Sequence, residues 1–383
     1  MKKVILLLAI LFSMGVVYSQ NKITPQPFKL LNPPEDITPA KTRYHQGWES
    51  SPTIPAKQWT EKEHLALEKK LSWFFKAKYG LFFHFIAPED GSCTPQKWNA
   101  LVDAVDVEKF ADQVKETGAG YVVLTISQNT MYSCAPNPVL EELWELEPGK
   151  YISKRDLPMD VYNALHKRGI EFMLYIAADE QYNLPRPKSF TKETDRFKNF
   201  LEVAKWYSNH YGKRCRGWWV DGLNESFSGY RSLFHEALKS GNPDAIIGSS
   251  TSGLSEFLNG HCDFEWEEQQ KYRKPYYGRW DADYKNQWHV LQFLGNYWAY
   301  TDTAHSTASL VDYATDVVRG GGVITFDVGA CTYTNEFDQP EIKDNFITDT
   351  FLDIPEGQMA QLIAIKNALR KVKPSKCCLK YQK

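Results

Sequence analysis

The sequence predicts an α/β fold, a (β/α)8 TIM-like barrel. Three observations carry that expectation: eight short apolar runs, amphipathic stretches between most of them, and a length of 383 residues that suits one large domain. The same alternation also fits an open α/β sheet.

A helix over 60–77 leads into Gly80-Leu81-Phe82-Phe83-His84-Phe85-Ile86, a nearly continuous apolar run of the kind that parallel sheets bury on both faces. Asp106 caps a helix with Val107, Phe110, Ala111 and Val114 on one side and Gly118 at its end, and 121–126 is the second strand. Asp156 opens a helix with Leu157, Val161 and Leu165 inward, closed by Gly169, before the strand at 172–177. A long helix over 192–210 precedes Trp218-Trp219-Val220-Asp221. A helix at 230–239 leads to a fifth strand at 245–248. Asp263-Phe264-Glu265-Trp266 is the sixth, with no clear helix after it, and 290–294 is the seventh. The last unit is a helix at 307–319 followed by Gly321-Gly322-Val323-Ile324-Thr325-Phe326-Asp327.

Outside these units the chain opens with Met1-Lys2-Lys3, an apolar stretch and a small-residue run near Ser19-Gln20. That is the form of an export signal, too short to span a membrane, so 1–20 is expected to be a signal peptide and the protein periplasmic or secreted. Residues 21–59 are rich in proline and polar residues and are expected to form an extended arm, leaving 60–383 as the barrel. A formal charge of -2 gives no electrostatic reason to expect nucleic acid or an anionic membrane as partner. Seven cysteines leave at least one free thiol, no CxxC pair points to zinc, and no cofactor is expected. Oligomeric state is not legible. The 12 Trp, 21 Tyr and 21 Phe suit a site where rings stack on sugars, although core packing also uses such residues.

In a barrel the residues after each strand share one mouth. Here they are His84, Ser127-Gln128-Asn129, Asp179-Glu180, Asp221, Ser249-Ser250, Glu265 with Glu267 and Glu268, His289 or Trp298, and Asp327. Asp221 is the first candidate, because an acid beside two tryptophans is costly to bury unless it is used or paired. It could instead cap a helix or pair with an arginine. Several carboxylates among aromatics are what glycoside hydrolysis needs, one as nucleophile or base and one as a protonated donor. The glutamate run could instead be a solvated loop, and His84 a core histidine at a strand end. Metal binding is disfavoured, since there is no Asp-x-Asp-x-Asp-Gly loop and no histidine cluster.

Six stretches, in order, resemble the retaining α-L-fucosidases of glycoside hydrolase family 29. They are Lys76 to His84 (family "AKFGLFIHW"), Phe110 to Thr125, Lys154-Arg155-Asp156-Leu157, Trp218 to Gly222 (family "LWFDG"), Trp288 to Tyr300, and Gly321 to Gly329. The resemblance implies a barrel, cleavage of a terminal fucose-like or L-galactose-like sugar from an oligosaccharide or glycoconjugate, and Asp221 as nucleophile. It places the acid/base after the sixth or seventh strand. Glu268 is preferred by its likeness to the family's "GDYxTPE" spacing, with Glu265 and Glu267 close behind. His84, Gln128, Asn129 and Trp298 would line the sugar pocket, and Trp219, Trp266, His289 and Asp327 complete the set expected to touch substrate.

The departures are specific. Ser127-Gln128-Asn129-Thr130-Met131 stands where the family has "HHDGF", His289 where it has a glutamate, and Asp327 where it has asparagine. The chain is also expected to lack the family's common C-terminal β-sandwich. A changed sugar specificity follows, since lost hydrogen bonds of this kind alter discrimination by orders of magnitude. The rival expectation is a carbohydrate-binding protein on the same barrel with decayed catalysis.

Overall fold

The computed structural model describes residues 60–179, 183–222, 231–250, 262–266, 278–280, 286–334 and 346–375. The expected signal peptide and arm, together with Glu180, Glu267, Glu268, Cys377 and Cys378, lie outside them, as do the side chains of Glu265 and Trp266.

Eight parallel strands form one curled sheet: β1 (Tyr79–Phe83), β2 (Tyr121–Thr125), β3 (Glu171–Ala177), β4 (Gly217–Asp221), β5 (Ile246–Ser250), β6 (Phe264–Trp266), β7 (His289–Phe293) and β8 (Val323–Val328). Their order is β6-β5-β4-β3-β2-β1-β8-β7. An isolated parallel bridge between Phe264 and Gln287 brings the two outer strands of that order together. With helices between the strands, this is a TIM-like α/β fold.

The helices packed around the sheet arise where sequence chemistry asks for them. Asp106 accepts from Lys109 N at 3.0 Å to start the helix Val107–Thr117, and Gly118 ends it in the left-handed region. Asp156 does the same for the helix Leu157–His166, and Ser306 for the helix Thr307–Arg319. Their apolar faces cover the outside of the sheet, whose outward residues, such as Phe83, Leu124, Leu174, Trp218 and Ile324, are fully or almost fully buried against them.

The expected first helix is two. α1 (Glu61–Lys70) and α2 (Ser72–Ala77) meet at buried Leu71. The break turns Leu67, Leu71 and Phe74 together into the second apolar cluster, which fills the inside of the sheet. Phe74 reaches Tyr121, Phe264 and His289 with ring centroids 5.0, 4.8 and 5.7 Å apart, so this pair of helices covers the amino ends of the strands. Interior space is tight enough to require glycine. A Cβ on Gly80 would lie 2.2 Å from the Tyr121 ring, and one on Gly248 equally close to Phe264.

Further elements were not foreseen. Pro95–Asp103 and Pro138–Leu143 are short helices in the loops after β1 and β2. A small antiparallel pair, β9 (Cys331–Tyr333) with β10 (Ile347–Thr350), follows β8.

Candidate active site

Strand alternation and register decide which side chains meet at the carboxyl ends. On β4 the inward residues are Gly217, Trp219 and Asp221, and the register Ala177↔Asp221 and Tyr175↔Trp219 sets β3 beside them. Asp221 is therefore the uppermost inward residue of its strand. Its Oδ2 accepts from the Tyr175 hydroxyl at 2.9 Å and its Oδ1 from Gly222 N–H at 2.7 Å. Burial pushes its carboxyl above the usual range, while these two hydrogen bonds, and His84 when protonated, pull the other way. The result is a part-buried carboxyl group steered by two donors, an arrangement suited to a nucleophile.

A second carboxyl stands beside it. Burial and the charge of Asp221 both push Asp179 upward. Its Oδ1 sits only 2.0 Å from where a Cβ on Gly222 would be, and Gly222 has φ +66°. Glycine at 222 thus allows Asp179 to press against the backbone that follows Asp221.

His84 follows β1 directly. Its Nε2 donates to Asp327 Oδ2 at 2.7 Å and its Nδ1 faces Gln128 Oε1 at 2.8 Å. The ring stacks on Phe82 at 4.1 Å and lies 4.9 Å from Trp298. Asp327, on β8 opposite Phe82, also accepts from Ala299 N–H at 2.6 Å through Oδ1, which fixes the loop that carries Trp298. One buried carboxylate thereby holds both His84 and the neighbouring tryptophan in place. Asn129, in a left-handed conformation with φ 61°, hydrogen-bonds Glu89, whose carboxyl is pushed up by burial.

The structure thus brings Asp221, His84, Gln128, Trp298 and Asp327 together, with Asn129 adjacent. Two expected substrate contacts are corrected. Trp219 points inward one pleat below Asp221 and is 1% exposed, with Phe82, Phe264 and His289 around it at 5.0, 5.8 and 5.5 Å, so it floors the site and has no face for a sugar. His289 is the first residue of β7, not one at its carboxyl end, and so belongs to the interior near Phe74. Its Nε2 pairs with Thr325 Oγ1 at 2.7 Å, and the same hydroxyl meets Tyr121 OH at 2.6 Å. This is a satisfied core histidine.

Tyr175 and Glu89 were overlooked, and Asp179 was placed at the mouth without a role. Tyr175 sits inside an apolar run, where only the register with β4 reveals that its hydroxyl reaches Asp221. Among the described residues no group of three His, Cys, Asp or Glu side chains could hold a metal ion, and no helix is long and apolar enough to cross a membrane. Cys93, Cys134, Cys215, Cys262 and Cys331 are thiols, and Cys331 Sγ donates to the His84 carbonyl at 3.1 Å.

The family model for alpha-L-fucosidase matches residues 44–336. Among solved structures, an alpha-L-fucosidase of glycoside hydrolase family 29 from Bacteroides thetaiotaomicron, trapped as a covalent intermediate, shares 16% identity and a TM-score of 0.55, over 84% of this chain and 77% of that one. The alpha-L-fucosidase AlfC in complex with Fuca(1,6)GlcNAc shares 16% identity and a TM-score of 0.54, over 78% of this chain and 97% of that one. An endo-fucoidan hydrolase of glycoside hydrolase family 107 shares 14% identity and a TM-score of 0.56, over 79% of this chain, which spans 53% of that protein's length. No curated protein sequence matches. At these identities the structural likeness speaks for the fold, and the sequence match speaks for descent. With more than half of its length matched by that model, the chain belongs to the alpha-L-fucosidase family.

Proposed function

We propose that this protein is a glycoside hydrolase that releases a terminal fucose-like or L-galactose-like sugar with retention of configuration, using Asp221 as nucleophile. The observation that carries the reading is the setting of Asp221: the last inward residue of β4, part-buried, and held by Tyr175 and Gly222. In the first step one Asp221 oxygen attacks the anomeric carbon while the leaving oxygen takes a proton from a second carboxyl. In the next step that group draws a proton from water, which then displaces Asp221.

The proton carrier is assigned to the loop after β6, with Glu268 first and Glu265 and Glu267 behind it; retention requires it about 5–5.5 Å from Asp221. Asp179, raised by burial and by its neighbour, is the carboxyl within the described residues with the properties of an alternative.

We read the sheet as a complete (β/α)8 barrel, a reading supported by the Phe264–Gln287 bridge. The changed specificity is supported by the loop after β2. Gln128 is spent on His84 and Asn129 on Glu89, so neither is placed like a histidine offering itself to a hydroxyl. Export through residues 1–20 remains part of the proposal.

The test is a panel of aryl glycosides including α-L-fucoside and α-L-galactoside, with the anomer of the first product read by NMR. Release of an α-anomer from an α-linked substrate is expected. Oligosaccharide binding without release of any monosaccharide across the panel would replace this reading with a binding protein, and an inverted product would remove the covalent step.

A further inference from the structure

His84 has a carboxylate on one ring nitrogen and an amide oxygen on the other. An imidazole can donate to both only when both nitrogens carry protons. The ring is 5% exposed and Asp327 1%, and at such burial a fixed charge acts on its neighbours with little screening. Phe82 and Trp298 flank the ring, and Ala299 N–H pins the far oxygen of Asp327, so neither partner can turn away without breaking a second contact.

We propose that Asp327 is a positioning residue: with Gln128 opposite, it holds His84 as a permanent imidazolium whose charge acts on Asp221, in place of a contact between His84 and a sugar hydroxyl. This rests on Asp221 as nucleophile for its catalytic meaning but not for its chemistry. The groups bearing on Asp221 are His84 after β1, Tyr175 from β3, Asp179 after β3 and the Gly222 N–H; among these His84 is the one able to carry a positive charge. Cys331 and Tyr333, which feel the charge of Asp327, carry no positive charge, and His84 Nε2 lies 2.7 Å from Asp327 Oδ2.

The effect has a consequence for sugar recognition. A ring committed on both nitrogens cannot accept from a hydroxyl, so substrate contact on this side of the site falls to the Trp298 face.

The experiment is histidine NMR on the full chain with labelled imidazoles, His84 being assigned by its loss in His84→Asn. Both ring nitrogens of His84 should remain protonated at about pH 7.5, a unit above the ordinary histidine value. In Asp327→Asn the ring should be neutral at that pH, and the acidic limb of kcat/KM should move upward on the order of one pH unit as Asp221 loses the cation. A wild-type His84 that is neutral at that pH, or one that stays doubly protonated in Asp327→Asn, overturns the proposal. Should Asp327→Asn fail to fold, the wild-type signal decides alone. An inactive wild-type protein with a charged His84 would defeat the proposed function while leaving this inference standing.

Discussion

The phenol of Tyr175 donates to Asp221 across the β3–β4 boundary at 2.9 Å, tying the residue the sequence marks as functional to one hidden in an apolar strand. Removing that donor should expose its contribution. A hydrogen bond to a charged group is worth about 1.5–3 kcal/mol, so Tyr175→Phe should lower kcat/KM for an aryl α-L-fucoside by about 10- to 100-fold. Because the hydrogen bond favours the ionised acid, its loss should also shift the acidic limb of the pH profile upward, a signature that simple loosening of the fold would not produce.

Asp179 gives a stability prediction with a definite sign. Its carboxyl is raised in the folded protein by burial and then by Asp221, so folding is favoured while it is protonated and loses that advantage as pH rises through its folded value. Asp179→Asn should therefore melt higher than wild type at neutral pH, on the order of 2 °C. The difference should vanish below about pH 4, where the unfolded chain is protonated too. Calorimetric melts across that range provide the check.

Gly222 is held at φ +66° with Asp179 against its α-carbon. Gly222→Ala should cost about 1–3 kcal/mol from backbone strain alone, and because the added methyl displaces the Asp179 carboxylate, activity should fall by more than the lost stability explains. Denaturant titration alongside kcat/KM separates the two.

His289 supplies the opposite pattern. As an interior residue hydrogen-bonded to Thr325 it should matter for stability and not for substrate. His289→Ala should lose about 2–4 kcal/mol of folding free energy, while KM for the aryl glycoside stays within a factor of about two at a temperature where the variant is folded. A large KM change with unaltered stability would return His289 to the mouth.

The strands were legible because parallel strands covered on both faces read as continuous apolar runs, and Asp221 stood out as a carboxylate ending such a run. What alternation could not give was height. His289 was set at the mouth by its place in the family motif although the expected strand, 290–294, begins after it, and as the first residue of β7 it lies at the floor; Trp219, next but one to Asp221, lies beneath it. The split at Leu71 was hidden because both helical pieces keep apolar residues on one side. The pairing of His84 with Asp327 joins residues 243 positions apart, and neither residue's local sequence announces the other. His84, Gln128, Trp298 and Asp327 were named as sugar contacts from family likeness; their geometry shows that three of the four are first of all bonded to one another.

The claim on which the functional account rests is that Asp221 forms the bond to the sugar. Turnover of an activated aryl α-L-fucoside by Asp221→Asn and Asp221→Ala, with folding checked by circular dichroism, tests it most directly. The account predicts loss of turnover by at least about 10³-fold in both, and partial recovery of Asp221→Ala by azide with a glycosyl azide of inverted configuration as product. An Asp221→Asn protein that keeps wild-type turnover would contradict it.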